Sequence, residues 1–268
     1  MEEKYAMKTV VKLILIYYLL QILGSLVAAP CVMIYDFATT GTLDMAAAQA
    51  QVMAPAMLLG FVFIAVFVWK AGYLTDLGRM FSPVSAGWTT GAVLAGVSLI
   101  VWADFLVAQL TFLPDWMEQT FQTLQAGWLG VLCMAVLGPV AEEVFFRGVL
   151  TRELLKRYKP ATAILVSGLV FGVIHINPAQ VVGACISGFF FAWLYARTRS
   201  ILPGIFIHIL NNGLSVYLMR TYPEVETAGE LLGTTGYAVL LAVSAVVLIL
   251  SMAWLLRRQN HFKPEEEL

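Results

Sequence analysis

Apolar residues in this chain come in runs long enough to cross a lipid bilayer, and no other feature constrains the fold as strongly. A hydrocarbon core about 30 Å thick needs about 20 consecutive, mainly apolar residues in an α-helix. Runs of this kind cover about Leu13–Tyr35, Gln51–Trp69, Gly87–Phe112, Ala126 to a stop at Lys159-Pro160, Ala161–Ile176, Ala179–Tyr195, Pro203–Leu218 and Tyr237–Leu256. The expected fold is therefore all-α: a polytopic membrane bundle of about eight transmembrane helices, forming one membrane domain over residues 1–268 and ending in a charged tail at 257–268. Lys4, Lys8 and Lys12 precede the first run as they would a signal peptide, but the apolar stretch continues past Ala28-Ala29 to Ile34, so it reads as an uncleaved first helix.

Composition excludes whole classes. With 60% hydrophobic and 12% charged residues, the chain is a membrane protein and not a soluble domain. A net charge of −1, with bases scattered among loops, gives no stripe for nucleic acid. Cys31, Cys133 and Cys185 lie in separate apolar runs without metal-ligand spacing and read as small buried hydrophobes. In an eight-span arrangement, 15 of the 16 basic residues fall on one side and only Arg220 on the other. By the positive-inside rule both termini are expected in the cytoplasm.

One span breaks the apolar pattern. Gly138-Pro139-Val140-Ala141-Glu142-Glu143-Val144-Phe145-Phe146-Arg147 sets two carboxylates and an arginine in membrane. Each acid at such depth costs on the order of 2.5–3.5 kcal/mol on insertion scales, so intramembrane ionisable residues are read first as functional. Glu143 and Arg147 are four apart and meet on one helical face, while Glu142 lies about 100° round the helix. One carboxylate is tied to an arginine and the other is free to face a cavity.

Four more polar residues stand inside spans: Asp104, His175, His208 and Asn212. Glu142 and His175 lie on near-equal arms of a hairpin about Lys159-Pro160, which brings them to one height, and a protruding hairpin end lets His208 join them in the cytoplasmic half of the bilayer. Asp104 falls near the opposite surface and is left out. Phe171 lies four before His175, and Asn212 four after His208, so each pair shares a helical face. An imidazole and an amide on one face can donate two hydrogen bonds to one oxygen, as an oxyanion hole requires. Glu142 beside His175 can deprotonate a water. A general base with oxyanion donors, and no serine or cysteine nucleophile among these positions, describes amide hydrolysis by activated water. Gly168-x-x-x-Gly172 reads as a close helix approach.

Glu-Glu-x-x-x-Arg at 142–147, Phe-x-x-x-His at 171–175 and His-x-x-x-Asn at 208–212 resemble the three motifs of the CAAX-protease and bacteriocin-processing (CPBP, or Abi) family of intramembrane proteases, which includes the CAAX prenyl endopeptidase. The resemblance covers about Gly127 to Leu218, within a catalytic core set at 126–218. It implies an eight-helix glutamate-dependent endopeptidase in which Glu142 and His175 activate water, His208 and Asn212 steady the oxyanion, and Glu143, Arg147 and Phe171 support them. Members of that family are often labelled metalloproteases, and glutamates with histidines could hold zinc. The chain has no His-Glu-x-x-His helix of the zincin type, and the reading without a cofactor is favoured.

The expected partners are the bilayer and a peptide or protein substrate, which could be lipidated. The compact chain is read as bacterial. Two rival functions stand beside proteolysis: a transporter, for which an inverted repeat would be needed and none is visible, and a non-catalytic membrane regulator or bacteriocin immunity protein.

Overall fold

The computed structural model describes residues 2–42, 44–74, 76–225 and 227–258, with side chains from residue 7 onward. The tail residues 259–268, which include His261, lie outside the described residues. Among those described there is no β-strand, and the elements follow the apolar runs. They are α1 (Glu2–Thr40), α2 (Met45–Lys70), a short α3 (Leu77–Met80), α4 (Ala86–Ala108), α5 (Glu118–Ala126), α6 (Trp128–Leu155), α7 (Pro160–Val173), α8 (Pro178–Thr198), α9 (Leu202–Thr221) and α10 (Ala228–Arg257).

Seven of these helices are long and apolar enough to cross a membrane, and the chain is an integral membrane protein. The remaining expected span, the fifth in chain order at about Ala161–Ile176, corresponds to α7, which is apolar throughout but has only 14 residues, or about 21 Å. Side chains sort as a bilayer demands. Leu15, Leu19, Ile22 and Leu26 on α1 are exposed, whereas Leu13 and Tyr17 on its other face are buried. Of the three cysteines expected to be buried, only Cys133 is; Cys185 is half-buried and Cys31 is exposed on the outer face.

Helices that pack closest do so through glycine. A Cβ at Gly24 would lie 2.6 Å from the backbone of Ala56 and Gly60, so α1 and α2 nearly touch along that line. The expected approach at Gly168 and Gly172 is present too: a Cβ at Gly172 would meet the backbone of Val181 and Cys185 at 2.9 Å, seating α7 on α8. Asp104 bonds to the Tyr237 hydroxyl at 3.2 Å, joining α4 to α10 away from the other polar residues.

α6 departs from regular α geometry. Cys133–Leu137 and Glu143–Thr151 are π-helical, with one extra residue per turn. Such bulges are rare and concentrate at functional sites. The wider turn lets α6 bury nearly its whole circumference: from Glu143 to Thr151 only Val144 is not buried. Thr151 donates its hydroxyl to the Phe146 carbonyl at 2.7 Å and pairs with the Ser167 hydroxyl of α7 at 2.7 Å.

Candidate active site

Glu143 and Arg147 form the expected pair at 2.8 Å, with both side chains wholly buried. Arg147 cannot therefore be counted among the loop charges that orient the chain. Its second nitrogen donates to the Gly188 carbonyl of α8 at 3.3 Å, and the guanidinium lies over the rings of Phe171 at 4.1 Å and Phe191 at 5.1 Å. A desolvated cation between two aromatic faces gains about 2 kcal/mol or more from the ring quadrupoles. The pair thus ties α6 to α7 and α8 at once.

His208, on the first third of α9, reaches both glutamates. Its Nδ1 is 3.1 Å from Glu143 Oε1, and its Nε2 is 3.7 Å from Glu142 Oε2. A carboxylate accepts, so Nδ1 carries a proton toward Glu143 and Nε2 faces Glu142. Glu143 comes this close because residue 204, one turn before His208, is glycine. A Cβ there would sit 2.6 Å from Glu143 Oε2. Glu142 keeps a side chain 18% exposed, and among the described residues no arginine lies in salt-bridge contact with it.

His175 follows the end of α7. Its Nδ1 is 2.7 Å from the Phe171 carbonyl. That oxygen can only accept, so the proton is on Nδ1 and the Nε2 lone pair is left over. Phe171 stands between the histidines, with ring centroids 5.0 Å from His175 and 5.8 Å from His208. Phe191 closes the other side of His208 at 5.3 Å.

Asn212 shares the α9 face of His208 but is held differently from the expectation of a free donor. One of its N–H groups bonds to the Met134 carbonyl at 3.1 Å, within the first π-helical stretch. Its oxygen accepts from Asn211 at 3.0 Å. A second amide hydrogen of Asn212 remains for a ligand oxygen.

Several contributors escape a sequence reading. Gly204 could have been suspected, since it precedes His208 by one turn on the same face. Phe191 and the Gly188 carbonyl carry no signal at all, because aromatic and small residues occur throughout an apolar helix. Tyr17 of α1 packs its ring on Phe145 and Phe146 at 5.1 and 5.3 Å and lies within electrostatic reach of Glu142. Among the described residues, no three His, Cys, Asp or Glu side chains cluster closely enough to form a metal-binding set.

Residues 123–214, which hold all three motifs, match the family described as type II CAAX prenyl endopeptidase, Rce1-like. YdiL of Bacillus subtilis (strain 168), provisionally named a membrane peptidase, is 30% identical over 114 residues. That alignment takes in 41% of this chain and 47% of YdiL, so the match spans about half the length of the relative. No solved structure matches the chain.

Proposed function

We propose that this chain is a CPBP-family intramembrane endopeptidase that hydrolyses a peptide bond with water activated by Glu142, since residues 123–214, which hold all three motifs, match the type II CAAX prenyl endopeptidase, Rce1-like family and 114 residues align with YdiL at 30% identity. The observation that carries this reading is the division of labour between adjacent carboxylates. Glu143 is committed to Arg147 and to His208 Nδ1, whereas Glu142 meets the Nε2 edge of His208 at 3.7 Å and keeps its side chain 18% exposed.

In this mechanism Glu142 takes a proton from water, and the hydroxide attacks the scissile carbonyl carbon. His175, with its proton fixed on Nδ1, offers Nε2 to help hold that water and relay its proton. The carbonyl oxygen becomes an oxyanion, and the free amide hydrogen of Asn212 together with a protonated His208 Nε2 donate to it. When the C–N bond breaks, the proton held by Glu142 passes to the leaving amine. Glu143 and Arg147 contribute by fixing the His208 ring. The glutamate and histidines could also serve zinc, because a histidine whose Nδ1 is engaged by a carbonyl or carboxylate still offers Nε2, so the metal-free scheme is decided by the chelation test below.

The substrate is a peptide or protein that reaches the site within the membrane, and a lipid-modified chain suits such a route. The basic loops favour a cytoplasmic position for both termini and for the cleavage, in a bacterial cell membrane. The test compares peptides released in membranes holding the wild-type protein with those holding Glu142→Gln, which keeps shape and removes basicity. Cleavage should vanish while the protein remains folded. A Glu142→Gln protein that still cleaves refutes the base assignment, and loss of wild-type cleavage on strict chelation, restored by added zinc, refutes the metal-free half.

A further inference from the structure

The turn that carries His175 is held by groups outside the set assigned so far. After Val173 the chain reverses through Ile174, His175, Ile176 and Asn177, and Pro178 starts α8. Ile176 has φ 60°, a left-handed conformation that a β-branched side chain rarely enters. Glycine would take it without strain. Isoleucine keeps it only if the surroundings impose it.

Those surroundings are visible. Asn177 is completely buried, and both ends of its amide are engaged with the segment between α4 and α5. Nδ2 donates to Asp115 Oδ1 at 2.9 Å, and Oδ1 accepts the Trp116 backbone N–H at 2.9 Å. These partners lie 62 and 61 residues earlier in the chain. Asp115 is itself held by the Met117 N–H at 2.9 Å. On the preceding side, Tyr18 of α1 donates its hydroxyl to the Ile174 carbonyl at 2.7 Å. The turn is therefore gripped before and after His175 by elements distant in sequence, while within it the imidazole reaches back to Phe171.

We propose that Asn177 is a positioning residue for His175: its clamp on Asp115 and Trp116 keeps Ile176 left-handed and so sets the direction in which the imidazole leaves the turn. If Ile176 relaxed to a right-handed or extended conformation, the peptide between residues 175 and 176 would rotate. The ring would then swing off the Phe171 carbonyl and lose its fixed tautomer. This inference rests on the reading of His175 as part of the active site.

The test uses the full chain in lipid nanodiscs with ¹⁵N-labelled histidine, the His175 signals being assigned from a His175→Gln spectrum. In the wild type, His175 should appear as the Nδ1–H tautomer. In Asn177→Ala it should shift to a mixture of tautomers, and kcat for a peptide cleaved by the wild type but not by Glu142→Gln should fall about 100-fold with KM unchanged, as expected for a misplaced catalytic group. Adding Ile176→Gly to Asn177→Ala should restore part of that kcat, because glycine enters the left-handed turn without the steric cost that isoleucine carries. Should Asn177→Ala fail to fold, Asp115→Ala removes one of the two clamp bonds and should shift the same signals in the same direction. A wild-type His175 spectrum in the variant that folds, or a lowered thermal midpoint with spectrum and kcat intact, overturns the positioning role, as does absence of rescue by glycine. The spectrum needs no turnover. A shifted spectrum in a protein that cleaves nothing even as wild type removes the peptidase reading and leaves the positioning in place.

Discussion

Arg147 bonds a carboxylate, a backbone carbonyl and two aromatic faces while wholly buried, so its removal strands Glu143 in an apolar interior. Breaking a buried pair by deleting one partner costs roughly 3–5 kcal/mol. Arg147→Ala should therefore lower both membrane yield and cleavage rate, as measured by quantitative blotting and peptide release. Normal yield and turnover would mean that the pair supports nothing. Gly204 makes the complementary case. Glu143 is pinned by Arg147 and His208 and cannot retreat from a Cβ built 2.6 Å from its oxygen. Gly204→Ala should destabilise the protein by about 1–3 kcal/mol through overpacking. It should also displace His208 enough to reduce kcat by up to about 100-fold, since small misplacements carry such penalties. A Gly204→Ala protein with wild-type melting and kcat would show that Glu143 moves freely.

At the level of elements, the site depends on α7 lying directly against α8, because Phe171 rides on α7, His175 on the turn that follows it, and Gly188 and Phe191 on α8. Backbone atoms of Val181 and Cys185 leave no room for a side chain at Gly172, whereas Gly213 on α9 has nothing within 4 Å of a Cβ. Gly172→Ala should thus lower the thermal midpoint in detergent and weaken cleavage, with a cost of about 1–3 kcal/mol, and Gly213→Ala should leave the midpoint unchanged. Equal behaviour of the two variants would remove the close crossing as the element that holds the site. The π-helical stretches of α6 work with this crossing. Their wider turn exposes one more residue per turn to neighbours, which is how Glu143, Phe145, Phe146 and Arg147 all find burial on a single helix.

For the whole molecule, the distribution of basic residues carries an orientation that can be read without the site. Counted with α7 as an eighth crossing, Lys70, Arg79, Arg152, Lys156, Arg157, Lys159, Arg197, Arg199, Arg257 and Arg258 fall on one side of the bundle. A reporter fused after Arg258 should therefore be active only as a cytoplasmic fusion, and external activity would invert the bundle. Arg147 drops out of that count because it is buried in the site, and the bias survives without it.

The span positions, the all-helical class and the Glu143–Arg147 pair were legible from the sequence, because each depends on local quantities: apolar length, and the spacing of two residues on one helix. Gly168 and Gly172 were legible for the same reason. Tertiary structure alone decided how the polar residues divide. It placed His208 between Glu142 and Glu143, tied one amide hydrogen of Asn212 to Met134, and shortened the fifth span to 14 residues. It also converted part of α6 to π geometry and recruited Asp115 and Asn177 to the His175 turn. Each of these is a contact between segments far apart in the chain, and no periodicity within one helix encodes which neighbour its polar face will meet.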